Sequence, residues 1–176
     1  MENVKSLVII VGNYGSGKTE VAVNLAVDRH RAGLEVKIAD LDLVNPYFRT
    51  REARKPLADL GIQVILPPGQ YMAADLPIVT RAIGGLIRDP GELAILDVGG
   101  DDVGATVLAS LANHFEGRGN RMLQVVNPYR PFTETIEGCL RIKAEIEQTA
   151  RLDNTRFIGN PNVIYETVSE HMCEGD

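Results

Sequence analysis

Residues 12–19, GNYGSGKT, have the residue types and the spacing that are needed to bind the phosphates of a nucleotide. They match the pattern G-x-x-x-x-G-K-[ST] at every defined position. Glycines permit a tight turn in which successive backbone N–H groups point at one anion. Lys18 adds a full positive charge, and the Thr19 hydroxyl is a ligand that Mg²⁺ accepts. The predicted phosphate-binding residues are Gly12, Asn13, Tyr14, Gly15, Ser16, Gly17, Lys18 and Thr19.

The flanking sequence predicts the strand, loop and helix that such a loop requires. Residues 7–11 are five consecutive apolar residues, as in a strand that is buried on both faces. Apolar residues then recur at helical spacing up to Gly33, which is placed as the left-handed residue after a helix. The alternative, a glycine turn before an ordinary helix, is less favoured once these flanks are counted.

A second candidate group follows the strand that is predicted at residues 93–96. Asp97 ends this apolar run, and an aspartate in that position is suited to hold Mg²⁺ through water opposite a phosphate loop. Gly100 is predicted to offer its N–H to the terminal phosphate and to move when that phosphate leaves. Many parallel strands end in an aspartate that caps a helix, so this prediction depends on the phosphate loop.

Two further carboxylates follow the short strand that is predicted at residues 36–39. Asp40 and Asp42 are two positions apart, so both side chains are expected on the same side of an extended strand end. One is expected near the metal, and the other is expected to orient the attacking water. A turn followed by a helix cap is the alternative for this stretch.

The composition limits the class of protein. The 176 residues are enough for one domain with a core. The net charge of −6 argues against non-specific binding to nucleic acid or to acidic membranes. Without a signal-peptide pattern or an apolar run near 18 residues, a cytoplasmic location without a membrane anchor is expected. The distant Cys139 and Cys173 favour a reducing compartment and no zinc or iron–sulfur site.

Strand and helix patterns alternate along the whole chain. This alternation predicts an α/β fold, a doubly wound and mainly parallel sheet with helices on both faces. Ligands bind such sheets at the carboxyl ends of the strands, where every candidate residue lies. The predicted strands are residues 7–11, 36–39, 62–66, 93–96, 122–126 and 156–158. The later helices are predicted at 48–60, from a cap at Asp75 through Arg88, from a cap at Asp101 or Asp102 with apolar residues up to Phe115, and at 133–151.

The order of these loops, with an Asn-Pro pair at Asn127, resembles the MinD/ParA-type ATPases of the SIMIBI class of P-loop proteins. The resemblance covers most of the chain and is specific at residues 12–19. It implies ATP with Mg²⁺, an ATP-dependent homodimer, Asp42 as the water-orienting residue and Asn160 as the reader of the adenine edge. The guanine signature [NT]KxD is absent from the sequence, which favours ATP.

A small set of residues carries the predicted catalytic and binding roles. The predicted catalytic residues are Lys18, Asp42 and Asp97, and the predicted metal ligands are Thr19, Asp40 and Asp97. Outside the phosphate loop, the predicted nucleotide-binding residues are Gly100, Asn127 and Asn160.

Two features depart from the family that the chain resembles. The signature lysine of that family, which reaches across the dimer to the partner's nucleotide, is replaced by Asn13. This replacement argues against a nucleotide sandwich and fast dimer-stimulated hydrolysis. Family members also usually continue for another strand and helix, so the single domain over residues 1–176 is expected to lack them. A shortened version and part of a longer protein are both open explanations.

The sequence is consistent with three functions. The favoured one is a slow ATPase that acts as a nucleotide-dependent switch or assembly factor for an unidentified protein partner. The second is an ATP-dependent small-molecule kinase or ligase. The third is a nucleotide-binding module with negligible hydrolysis that helps to assemble a metalloenzyme. No nucleic-acid partner is expected from the acidic composition.

Overall fold

The computed structural model describes residues 6–42, 50, 52–66, 76–100, 102–117, 120–153 and 155–162. Six strands and five helices alternate within these ranges. None of the described helices is long and apolar enough to cross a membrane. The strands are β1 (Ser6–Gly12), β2 (Val36–Leu41), β3 (Gln63–Ile65), β4 (Leu93–Val98), β5 (Asn120–Val126) and β6 (Arg156–Gly159). The helices are α1 (Lys18–Arg31), α2 (Arg54–Asp59), α3 (Leu76–Arg88), α4 (Asp102–Phe115) and α5 (Ile136–Ala150).

The six strands form one parallel sheet in the order β3-β2-β4-β1-β5-β6. The strand that leads into the phosphate loop, β1, therefore lies between β4 and β5. The register places Asp40 of β2 opposite Asp97 of β4, and Gly12 of β1 opposite Val125 of β5. Because all strands run the same way, the loops that follow them meet at one edge of the sheet.

Helices cover both faces of the sheet, which explains the uninterrupted apolar run at residues 7–11 of β1. Along β1, Leu7 and Ile9 pack with α3, α4 and α5, whereas Val8 and Ile10 pack with α1 and α2. Successive strand residues point to opposite faces, so a strand covered on both sides needs an apolar residue at every position. The predicted doubly wound α/β fold is confirmed.

Two predicted helices begin later than the sequence pattern indicates. The helix predicted at residues 48–60 begins at Arg54, after a turn that the Ala53 N–H closes on the Thr50 carbonyl. The helix predicted at residues 133–151 begins at Ile136, because Thr135 caps it by accepting from the Gly138 N–H. The prediction of Asp75 as the cap of α3 lies outside the described residues.

Two adjacent glycines in α3 test how closely this helix packs on α4. A Cβ at Gly84 would clash with the His114 ring of α4, whereas a Cβ at Gly85 would meet nothing within 4 Å. Gly85→Ala should stabilise the protein by about 0.5–1 kcal/mol, because alanine loses less backbone freedom in a helix. Gly84→Ala should be less stable than Gly85→Ala, because the His114 ring must move. Urea unfolding followed by circular dichroism measures both variants, and equal midpoints would contradict this packing.

Candidate functional site

The phosphate loop joins β1 to α1, and two of its glycines are required by close contacts. Gly12 has a φ of 146°, and a Cβ there would clash with the Val125 carbonyl of β5. Gly17 has a φ of 87°, and a Cβ there would clash with the side-chain amide of Asn160. Residues with a Cβ rarely adopt these φ values. The predicted arrangement of strand, glycine loop and helix is present.

Lys18 lies over the phosphate loop and is buried. Its Nζ donates to the Asn13 carbonyl at 3.1 Å, and the same carbonyl accepts from the Ser16 N–H at 3.2 Å. Gly17 precedes α1 and has no side chain to cap the first N–H groups of that helix. The ammonium group and the positive end of the helix dipole therefore face the same curled loop, an arrangement that favours an anion.

Gly100, at the end of the loop after β4, lies against the phosphate loop. A Cβ on Gly100 would lie 3.0 Å from the Tyr14 backbone nitrogen and 2.5 Å from Lys18 Nζ. On the other side of this segment, a Cβ on Gly104 of α4 would clash with the Gly99 carbonyl. The segment 99–100 is thus packed between the phosphate loop and the first turn of α4.

Three carboxylates are buried at the ends of β2 and β4. Asp40 and Asp97 occupy opposite register positions on these neighbouring strands. Asp42 follows β2, and its N–H donates to Asp40 Oδ1 at 2.9 Å. The structure therefore brings together the three aspartates that the sequence singled out, all of them less than a tenth exposed.

The surroundings of Asp97 raise the pKa of its carboxyl group. The pKa rises from 3.8 to about 6: burial is the largest cause and the Asp40 charge adds to it, while Thr50, Thr19 and Lys18 act in the opposite direction. The Thr50 hydroxyl donates to Asp97 Oδ2 at 2.7 Å, but Oδ1 has no hydrogen-bond partner among the described residues. A buried carboxylate oxygen in this condition is suited to hold a cation or a water bound to one.

Thr50 was missed by the sequence analysis, although it is fully buried against Asp97. No pattern marks it, because its partner lies 47 positions away in the sequence.

In the part of the chain that the structure describes, no three or more His, Cys, Asp or Glu side chains are grouped as metal ligands. The donors fit Mg²⁺, which commonly takes one or two carboxylates and completes its shell with water and substrate phosphates.

The two asparagines outside the phosphate loop that were predicted to contact the nucleotide both hold loops together. Asn127 is fully buried, donates to the Asn162 carbonyl at 2.9 Å and accepts from the Tyr129 N–H at 3.0 Å. Asn160 donates to the Ser16 carbonyl at 2.8 Å. Contact of Asn127 and Asn160 with a nucleotide stays a prediction.

A further loop reaches the phosphate loop from the carboxyl end of β5. Asn13 Nδ2 donates to the Pro131 carbonyl at 3.0 Å, while its Oδ1 accepts from the Tyr14 N–H at 2.8 Å. Arg130 Nε donates to the Gly15 carbonyl at 3.1 Å. No local sequence pattern assigns Arg130 to the site, because its partner Gly15 lies 115 positions away in the sequence.

The fold occurs in several solved structures. The kinase domain of Escherichia coli tyrosine kinase ETK matches 96% of this chain and 72% of its own length, with a TM-score of 0.65 and 19% identity. Cell division protein FtsY from Thermotoga maritima matches 88% of this chain at a TM-score of 0.60 and 18% identity. This chain spans 52% of that FtsY structure. The BceF tyrosine kinase domain matches 88% of this chain and 69% of its own length, at a TM-score of 0.54 and 19% identity.

These likenesses confirm the predicted doubly wound α/β fold. At identities below 20% they establish the fold and leave activity to be argued from the site. An FtsY structure from Elizabethkingia anophelis, with a TM-score of 0.58, was determined in complex with GDP. No protein-family model matches the chain, and no curated protein matches it.

The raised pKa of Asp97 predicts a pH-dependent stability. Because the folded pKa of about 6 exceeds the unfolded value, ionised Asp97 destabilises the fold above pH 6. Asp97→Asn should therefore be more stable than the wild type by about 2–3 kcal/mol near pH 7.5. This gain should shrink as the pH falls from about 6 to about 4.

Urea unfolding at a series of pH values, with EDTA and without nucleotide, measures this difference. The matched control is Asp28→Asn on α1, because Asp28 is largely exposed. A gain in Asp97→Asn that stays constant over the whole pH range would contradict the assignment.

Proposed function

We propose that this chain is a Mg-ATP-binding P-loop protein, a slow ATPase that acts as a nucleotide-dependent switch or assembly factor for a protein partner. The observation that carries the proposal is the meeting of the curled phosphate loop, buried Lys18, Gly100 and buried Asp97 at one sheet edge. A positive loop beside an unsatisfied carboxylate oxygen suits a phosphate chain with its cation.

Different residues bind the phosphates and the metal ion in this proposed site. The loop N–H groups and Lys18 bind the phosphates, and Lys18 faces the outer ones. Thr19 and Asp97, with Asp40 beside Asp97, hold Mg²⁺ directly or through water. Mg²⁺ supplies the positive charge that neutralises the phosphate oxygens during transfer.

Gly100 is the residue through which the nucleotide state would be sensed. It lies within contact of both Lys18 and the Tyr14 backbone, where a terminal phosphate would be held. The adjoining Gly99 carbonyl is packed against Gly104, so a displacement of this segment presses directly on α4. The presence or loss of the terminal phosphate would thus change the surface of α4, as in other nucleotide switches.

We also propose that the chain is a MinD/ParA-type ATPase. Its main departure from that family is Asn13, which replaces the signature lysine. The Asn13 side chain is bonded to Pro131 and to the Tyr14 N–H of its own chain. It has neither the length nor the charge to replace a lysine that reaches a partner's nucleotide. We therefore propose slow hydrolysis and a weak ATP-dependent homodimer.

A second candidate function, an ATP-dependent small-molecule kinase or ligase, is favoured by one cavity. This cavity has a volume of about 170 Å³ and adjoins the phosphate loop on the side of α4 and α5. Asn13 and Gly100 line it from the site, and Glu145 and Thr149 line it from α5. An acceptor held there would lie beside Gly100, where the terminal phosphate is expected.

Lys18→Ala tests phosphate binding. Loss of a buried, charged donor should weaken ATP binding by about 1.5–3 kcal/mol, because that charge contacts the phosphates. The control is Lys55→Ala, since Lys55 is an exposed lysine on α2. Calorimetric titration with ATP and with GTP should also give tighter ATP binding to the wild type. Equal ATP affinity in the wild type and Lys18→Ala would refute the phosphate site, and tighter GTP binding would refute the adenine preference.

Asp42→Ala tests turnover separately from binding. If Asp42 orients the attacking water, the variant should bind ATP almost as the wild type does and hydrolyse it about 10²-fold more slowly. Single-turnover hydrolysis and ATP titration measure the two effects, with Asp28→Ala as the exposed control. An Asp42→Ala protein that loses ATP binding would show that Asp42 belongs to the binding site instead.

A further inference from the structure

The loop between β5 and α5, residues 127–135, touches the phosphate loop at two points. The Pro131 carbonyl accepts from Asn13 Nδ2 at 3.0 Å, and Arg130 Nε donates to the Gly15 carbonyl at 3.1 Å. The bonded residues are 118 and 115 positions apart in the sequence. Two loops on the same sheet edge are therefore joined by side chains from both of them.

The Arg130 bond and a bond within the phosphate loop hold both polar atoms of one peptide group. The peptide between Gly15 and Ser16 has its carbonyl held by Arg130, and its N–H is held by the Asn13 carbonyl at 3.2 Å. Asn13 is in turn fixed by Pro131. A turn with glycines at positions 15 and 17 samples many conformations when it is unrestrained.

The β5–α5 loop is braced so that it can hold this position. The Thr133 hydroxyl donates to the Asn127 carbonyl at 2.6 Å, and the Arg130 N–H donates to the same carbonyl at 3.1 Å. Asn127 Oδ1 accepts from the Tyr129 N–H. The backbone on either side of Arg130 is thus tied to the buried Asn127.

Backbone strain in the β5–α5 loop points the same way. Phe132 has a φ of 71°, which is unfavourable for a bulky side chain, and that side chain is 71% exposed. The Phe132 carbonyl lies so close to α5 that a Cβ on Gly138 would clash with it. Burial of the ring does not explain this conformation. A strained backbone conformation persists only where surrounding contacts hold it in place. Here the flanking residues Pro131 and Thr133 both make hydrogen bonds that hold the β5–α5 loop.

We propose that Arg130 and Asn13 form a clamp through which the β5–α5 loop positions the phosphate loop for phosphate. Arg130 is a positioning residue, since it acts through the Gly15 carbonyl. Holding the peptide before binding reduces the conformational freedom that the loop loses when it closes on an anion. The proposal rests on the proposed nucleotide-binding function and assigns its phosphate affinity partly to a loop outside the sequence motif.

Arg130→Ala tests the clamp with two ligands. At 0.15 M salt, which screens distant charges, affinity for ATP and for tripolyphosphate should both fall by about three- to tenfold. The two losses should be equal, because the phosphate loop contacts only phosphates. Arg130→Lys keeps a charged donor and should recover most of both affinities. Calorimetric titration of each ligand measures these effects.

Arg121→Ala is the matched control, because Arg121 is an exposed arginine near the amino end of β5. The phosphate loop lies at the other edge of the sheet, where the carboxyl ends of the strands meet. It should leave both affinities unchanged. Unchanged affinities in Arg130→Ala, or equal losses in Arg121→Ala, would overturn the proposal. A loss for ATP without a loss for tripolyphosphate would also overturn it, because Arg130 would then contact the nucleoside.

A double variant tests whether the Asn13–Pro131 and Arg130–Gly15 hydrogen bonds act together. Breaking either bond releases the same loop, so Asn13→Ala with Arg130→Ala should lose less affinity than the product of the single losses. Losses that multiply would contradict a shared clamp. A wild-type protein that binds neither ligand would refute the proposed function itself, an outcome distinct from failure of the clamp.

Discussion

The pairing of β1 with β4 on one side and β5 on the other is the constraint on which the site depends. It places the phosphate loop between the strand end that carries Asp97 and the strand end that carries Asn127. Gly12 is needed at this point because the chain leaves the sheet against the Val125 carbonyl. Each feature of the site follows from which strand ends this order makes neighbours.

The pairing of β2 with β4 creates an electrostatic cost. Asp40 and Asp97 are brought side by side in the interior, where the Asp40 charge disfavours the ionised form of Asp97. Thr50 and Lys18 offset part of this cost at Asp97. A nucleotide-free fold that keeps an unsatisfied carboxylate oxygen is poised to be stabilised when a cation binds, since binding to the folded state alone raises stability.

Asparagine side chains make several of the hydrogen bonds that join the loops. Asn160 bonds to the phosphate loop, Asn127 bonds to the segment after β6, and Asn13 bonds to the β5–α5 loop. An amide carries both donors and an acceptor, so it can satisfy the backbone groups that the ends of parallel strands leave open. The loops around the site are therefore joined to one another by direct hydrogen bonds.

The sequence by itself determined the features that depend on near neighbours. The phosphate loop, the alternation of strands with helices and the double covering of the sheet follow from local spacing and from continuous apolar runs. It also identified Asp40, Asp42 and Asp97, because aspartates near the carboxyl ends of predicted strands are visible as local patterns.

Only the tertiary structure decided which distant groups meet. Thr50 reaches Asp97 across 47 positions, Arg130 reaches Gly15 across 115, and Asn160 reaches Ser16 across 144. These hydrogen bonds require a donor and an acceptor within about 3 Å, a distance that the strand order sets and that local sequence does not encode.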